Sequence, residues 1–269
     1  MKAKSIAKIN IGLQVLNKRE DGFHNINSVF FPLFQLFDEM EFEKSSEISI
    51  DIEPKSISID LESNIIYKTI IKLREFTKRS NLAAKINLVK RIPMGAGLGG
   101  GSSNAATTLL SLNELFSLNL SKEQLSEIAL QIGSDVPFFI EKKTAIVTGR
   151  GEFFDYFDYN PNYSIHLYNP KINISTKWAY EQLHRTNKEI EKVDFASILL
   201  ESATNPLLLK QKLFNDFEDA VFKEYPKLAK IKEEIYKEGA VYAQMSGSGS
   251  TLFGFFDDGK REFKLVEVE

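Results

Sequence analysis

The chain has 269 residues, enough for one large domain or two smaller ones, and an apolar content of 43% supports a substantial core. A net charge of −3 gives no support to a nucleic-acid or membrane-surface role, and the absence of cysteine excludes disulfides, thiolate zinc sites and a cysteine nucleophile. No apolar run reaches membrane-spanning length and the N-terminus shows no signal-peptide pattern, so a cytoplasmic protein without a membrane or protein partner is expected.

In chain order, Ser5 to Leu16 alternates in the manner of a strand. Ile9, Ile11 and Leu13 share one face, while Lys8 and Asn10 share the other, about 7 Å apart. Arg19-Glu20-Asp21-Gly22 reads as a turn and Phe23 to Phe34 as the returning strand. Glu47 to Asp60, interrupted by Pro54, predicts a further hairpin. Ser63 or Asn64 can cap a helix running to about Ser80, with Ile66, Ile70, Leu73 and Phe76 on its buried side. Ala84 to Val89 alternates again and predicts the next strand.

That strand feeds into Pro93-Met94-Gly95-Ala96-Gly97-Leu98-Gly99-Gly100-Gly101-Ser102-Ser103-Asn104-Ala105-Ala106, and a helix-forming run follows from Ala105 to Phe116. Glycines at a strand-to-helix bend let the backbone approach a ligand closely, and the first turn of the helix presents unpaired N–H groups. A phosphate chain suits that environment. The residue after Gly100 is Gly101, so the lysine of a Walker A loop is missing. Gly95 to Gly100 also spells G-x-G-x-x-G, but the chain continues after Phe116 into another helix, where a dinucleotide fold needs a strand. No His-Arg-Asp triplet accompanies the loop, which sets aside the protein-kinase type. The candidate nucleotide-binding residues are therefore Pro93, Met94, Gly95, Ala96, Gly97, Leu98, Gly99, Gly100, Gly101, Ser102 and Ser103.

Ser121-Lys122-Glu123-Gln124 matches a capping box for a helix ending near Gly133. Asp135, in Gly133-Ser134-Asp135-Val136-Pro137, reads by itself as a helix cap with Pro137 in the first turn. Beside a phosphate loop it gains a second reading. Phosphoryl transfer to an alcohol needs a group to take the hydroxyl proton and a cation to hold the acceptor and neutralise developing charge, roles open to Asp135 and Lys8. Magnesium is expected with ATP, with Ser102 or Ser103 as candidate ligands. Beyond about Glu152 the texture changes. An aromatic strand (Tyr163 to Tyr168) is followed by helical stretches at Thr176 to His184, Phe195 to Leu200, Asn215 to Tyr225 and Pro226 to Glu238. A second glycine-serine cluster, Met245 to Thr251, leads into the strand Leu252 to Phe256. Two α+β lobes with a cleft between them are expected, divided near 152/153 into a nucleotide-binding and catalytic part and a substrate-binding part.

Pro93 to Ala106 resembles the second motif of the GHMP kinases, and Met245 to Gly254 resembles their third. Within that family, Ala7-Lys8-Ile9-Asn10, Asp21-Gly22-Phe23-His24, Gly99 to Ala106 and Gly133 to Phe139 are most similar to the branch acting on a cytidine-diphospho sugar alcohol. The resemblance covers nearly the whole chain. It implies the two-lobe fold of that family and ATP-dependent phosphorylation of the 2-hydroxyl of cytidine-diphospho-methylerythritol, a step of the non-mevalonate isoprenoid route. Its catalytic pair falls on Lys8 and Asp135. Asn10 and His24 match acceptor-contacting positions, His24 reading the cytosine edge, while Phe23 and Tyr180 match the aromatic residues that sandwich the pyrimidine. Family members commonly have Tyr where Phe23 stands, which keeps the ring and loses a hydroxyl. After Phe256 the chain has a turn at Asp257-Asp258-Gly259 and a charged strand to Glu269, where the family usually has a helix. A homoserine- or mevalonate-type acceptor, or a non-catalytic nucleotide-binding protein of the same fold, are the alternatives.

Overall fold

The structure, a computed structural model, describes residues 1–57 and 59–268. Two compact units interleave along the chain: residues 1–8, 32–94 and 99–143 form one, and residues 9–31, 95–98 and 144–269 the other. The division expected near 152/153 thus lies inside the second unit. The first two strands contribute residues to both units because they are long: β1 spans Lys2–Lys18 and β2 spans His24–Lys44. β2 runs ten residues past the expected end at Phe34, since Leu36, Asp38, Met40 and Phe42 keep alternating inward.

In the first unit, Glu39–Lys44 of β2 pairs antiparallel with β4 (Ala84–Val89), and β4 pairs in parallel with β3 (Ser49–Glu53). A parallel pair needs a crossover, which α1 (Ile65–Thr77) supplies. The hairpin expected over Glu47 to Asp60 is therefore corrected to one strand followed by a turn at 54–56; Ser58, in the expected span, lies outside the described residues. Pro54 has no N–H with which to continue a ladder, and the Ile57 N–H folds back onto its carbonyl at 3.0 Å. Asn64 caps α1, its side chain accepting from the Ile66 N–H at 2.9 Å. Ile66, Ile70 and Leu73 are buried as expected, and α1 packs on α2 (Gly100–Leu115) and α3 (Lys122–Ile132). Ser121 and Gln124 form the full reciprocal capping box of α3. α4 (Phe138–Glu141) is one turn that buries Phe138, Phe139 and Ile140.

In the second unit, Ser28–Phe30 of β2 pairs antiparallel with β5 (Ala145–Thr148), which pairs with β6 (Phe153–Tyr156). A separate sheet has the order β10 (Phe263–Glu267), β7 (Ser164–Asn169), β9 (Leu252–Phe256), β8 (Tyr242–Met245); only the β10–β7 pair is parallel. The helices here are α5 (Thr176–Gln182), α6 (Phe195–Glu201), α7 (Leu207–Lys212), α8 (Glu218–Glu224) and α9 (Pro226–Lys237). Phe217, Val221, Leu228, Ile231 and Ile235 join Leu13, Val15, Met245 and Leu252 in one core. Fully burying a side chain of this size stabilises by roughly 1.5–3 kcal/mol. α8 begins three residues later than the expected Asn215, because Asn215 is drawn into a parallel bridge with Leu13. No helix among the described residues is long and apolar enough to cross a membrane.

Candidate active site

β1 is covered on both faces, so Lys8 and Asn10 are as buried as the isoleucines that alternate with them. The Lys8 side chain is 5% exposed, and its Nζ lies 3.6 Å from Asp135 Oδ2, on a side chain 33% exposed. Burial pushes the Lys8 ammonium below its ordinary range, and the Asp135 charge works against that shift. Asp135 sits in the turn after α3 and does not cap α4, whose N-cap is Pro137 and carries no side-chain cap bond. The capping reading is thereby corrected. A desolvated ammonium and a carboxylate that water can reach stand side by side within the first unit.

The glycine bend reaches the same place. Helix α2 starts at Gly100, five residues ahead of the expected Ala105, so Gly100, Gly101 and Ser102 are its first turn. Their N–H groups have no partner inside the helix, whereas the Ser103 N–H already closes on Gly99 O at 2.9 Å. Gly99 holds φ +71°, and a Cβ there would stand 2.8 Å from the Phe139 ring and 3.1 Å from Lys8 Cγ. The start of α2 therefore packs directly on the Lys8 stem. The two serines diverge. Ser103 is fully buried and its hydroxyl accepts from Ser5 Oγ at 2.8 Å, so it turns inward, while Ser102 is half-buried. No group of three or more acidic or histidine side chains suited to a metal occurs among the described residues, and of the two expected serines Ser102 is the one not turned into the core.

In the second unit, Gly95–Leu98 rests on the second glycine-serine cluster. Ser246 Oγ donates to Gly97 O at 2.9 Å, and the Thr251 N–H donates to Ala96 O at 3.3 Å. Gly97 has φ +77°, and a Cβ there would fall 2.1 Å from Ser246 O. Asn215 Nδ2 in turn holds the cluster by donating to the carbonyls of Met245 and Gly247 at 2.7 and 2.8 Å. From the sequence Asn215 is expected only to start a helix, and its polar neighbour Asp216 gives no local sign of a buried role.

Asn10, Phe23, His24 and Tyr180 all belong to the second unit, where His24 and Tyr180 are brought together. Asn10 Nδ2 donates to Ser28 Oγ at 3.0 Å, and the Asn10 N–H donates to Ser246 Oγ at 3.2 Å. His24 stacks on Tyr180 with ring centroids 5.1 Å apart and planes 17° from parallel. Phe217 meets the Tyr180 ring edge-on at 4.9 Å. Phe23 is 53% exposed, with the Arg150 guanidinium 5.3 Å from its ring centre. Burial, followed by the charges of Lys18 and Arg185, lowers the pKa of the His24 imidazole. A neutral ring that can both donate and accept suits the reading of a base edge.

Comparison with known proteins shows the family. The GHMP kinases N terminal domain matches residues 64–143, and the GHMP kinases C terminal domain matches residues 196–268. A 4-diphosphocytidyl-2-C-methyl-D-erythritol kinase of Porphyromonas gingivalis is 42% identical, over 93% of this chain and 90% of its own. The chain belongs to the 4-diphosphocytidyl-2-C-methyl-D-erythritol kinase family, within the GHMP kinases. Another member of this kinase family, from Thermodesulfovibrio yellowstonii, is 38% identical over 98% of this chain and 93% of its own. A crystal structure of a 4-(cytidine 5'-diphospho)-2C-methyl-D-erythritol kinase superposes with a TM-score of 0.79 at 30% identity, covering 97% of this chain and 92% of that one. The mevalonate kinase of Methanococcus jannaschii shares the fold at a TM-score of 0.66 and 13% identity, over 97% of this chain and 92% of its own. As a member of this kinase family, the chain is an ATP-dependent phosphotransferase.

Proposed function

We propose that this kinase transfers the γ-phosphoryl group of ATP to the 2-hydroxyl of 4-diphosphocytidyl-2-C-methyl-D-erythritol, in the non-mevalonate route to isoprenoid precursors. The observation that carries the mechanism is the Lys8–Asp135 pair, with the Lys8 stem packed against Gly99 at the start of α2. Amides of Gly100, Gly101 and Ser102 receive phosphate oxygens, and Pro93–Leu98 lies along the nucleotide. Asp135 accepts the proton of the attacking hydroxyl as the bond to phosphorus forms in line with the departing ADP. Lys8 holds that carboxylate and the acceptor oxygen in place and offsets the negative charge that develops. Ser102 is the side chain that would hold a magnesium ion arriving with ATP, which would neutralise charge on the phosphates. Asn10 positions the acceptor. His24 reads the cytosine edge, and Phe23 and Tyr180 flank the pyrimidine.

Mevalonate and homoserine kinases share this fold at 13–18% identity, which supports the fold alone. The names carried by relatives at 37–42% identity, and the aromatic and imidazole rings after Gly22, favour the cytidylylated acceptor. An ADP-release assay with equal concentrations of this acceptor, homoserine and mevalonate tests the choice. Turnover with the cytidine compound is expected; turnover confined to either of the others would overturn it.

A further inference from the structure

Away from the reacting groups, the first unit buries a second carboxylate that the mechanism does not use. Asp38, on the inward face of β2, is fully buried. Its Oδ1 accepts from the main-chain N–H groups of Arg91 and Ile92, both at 2.8 Å, at the lead-in to the glycine run. Its Oδ2 accepts from Lys90 Nζ at 2.5 Å and from Asn104 Nδ2 at 2.9 Å, the latter in α2 just past the run. Lys90 Nζ also reaches Asn104 Oδ1 at 3.3 Å. Asn104 Nδ2 further donates to Ser5 Oγ at 2.8 Å, and Ser5 Oγ donates to Ser103 Oγ at 2.8 Å. Between the two anchored ends lie Pro93 to Ser103. Gly100 packs onto the same cluster, since a Cβ there would stand 3.0 Å from Ile92 Cγ2 and 3.3 Å from Lys90 Nζ.

A carboxylate with four donors on it, two of them main-chain groups on one side of a loop and one a side chain from the other, fixes the distance between the loop's ends. We infer that Asp38 is a positioning residue for the nucleotide: through Lys90, Asn104 and the Arg91–Ile92 backbone it sets the span across which the first-turn amides of α2 converge on phosphate. Asp38 touches neither Lys8 nor Asp135 in this arrangement, so its effect falls on ATP and spares the acceptor. This inference rests on the reading of the glycine bend as the triphosphate site.

Asp38→Asn keeps the shape and removes the charge, placing an amide against the Lys90 and Asn104 donors. The expected result is a KM for ATP raised about tenfold or more, as for loss of a charge-assisted hydrogen bond, with the acceptor KM unchanged. A folded variant whose ATP KM is unchanged would overturn the inference, and so would an equal rise in both KM values, which marks a general loss of structure. Should Asp38→Asn fail to fold, Asn104→Ala removes only the α2 anchor, and the same split between the two KM values decides. Calorimetric binding of a nonhydrolysable ATP analogue to wild type and variant separates this inference from the proposed function. Weaker binding by the variant alone supports the Asp38 role even if the cytidine acceptor proves wrong. Equal binding by both overturns it.

Discussion

In the proposed mechanism, Asp135 and Lys8 divide the chemistry at the scale of single residues. Asp135→Asn keeps the shape of the side chain and removes the base, so kcat should fall by about 10²–10⁴-fold while the KM for ATP stays close to wild type. Steady-state kinetics checks this, and near-normal turnover would remove Asp135 from the base role. Lys8 works as a cation, and burial outweighs Asp135 in setting its proton affinity below the ordinary value of 10.5. The alkaline fall in kcat/KM, which reports the free enzyme, should therefore set in below pH 10.5, when the Lys8 proton leaves. For stability the sign is opposite: between the lowered folded value and 10.5 the unfolded chain holds the extra proton, so the Lys8 contribution grows as pH rises through that window. A kcat/KM profile with its alkaline limb at or above the free-lysine value would contradict the burial argument. His24→Ala should raise the acceptor KM with little change in kcat, since the ring acts on the base and not on the reacting hydroxyl. Equal loss in kcat would place the imidazole nearer the chemistry.

Elements carry the glycine bend, and here one substitution isolates the geometry. Gly97→Ala would place a methyl 2.1 Å from Ser246 O at a φ that side chains rarely adopt, so the bend must move away from the second glycine-serine cluster. A lower Tm and a raised KM for ATP are expected together, measured by thermal melting and initial rates. An unchanged ATP KM would mean that the bend does not hold the nucleotide. The bend itself was legible because five glycines at a strand-to-helix junction have few other uses, and Asn64 and the Ser121–Gln124 box mark helix starts by local hydrogen bonding alone. The start of α2 lies ahead of the expected residue because glycine has low helix propensity, and the packing of Gly100 against Ile92 and Lys90 is a contact that local sequence does not show. The Ser49–Glu53 strand was visible, but its partner was not: pairing in parallel with β4 through a crossover is a tertiary choice. The Asp38 cluster was hidden for a related reason, as its partners lie 52 to 66 residues away in sequence.

For the whole molecule, the two units interleave along the chain, and the expected boundary near 152/153 falls inside the second of them. Gly12 donates to Gln244 Oε1 at 2.8 Å, Val15 donates to Asp216 Oδ2 at 2.7 Å, and Ile26 shares a core with Phe217 and Leu228. A fragment of residues 1–152 leaves those β1 and β2 groups without partners. It should show no cooperative thermal transition by circular dichroism, whereas the intact chain should; a sharply melting fragment would contradict the interleaved packing. Motifs in linear order identified the kind of protein because each is local, while the way the units share β1 and β2 rests on contacts far apart in the chain. The most direct test of the proposed activity is phosphorus NMR on the purified protein with ATP, magnesium and 4-diphosphocytidyl-2-C-methyl-D-erythritol. A new phosphomonoester signal on the acceptor's 2-oxygen, growing with ADP and almost lost in Asp135→Asn, is the expected result. ADP formation without that signal, or the same rate in the variant, would contradict it.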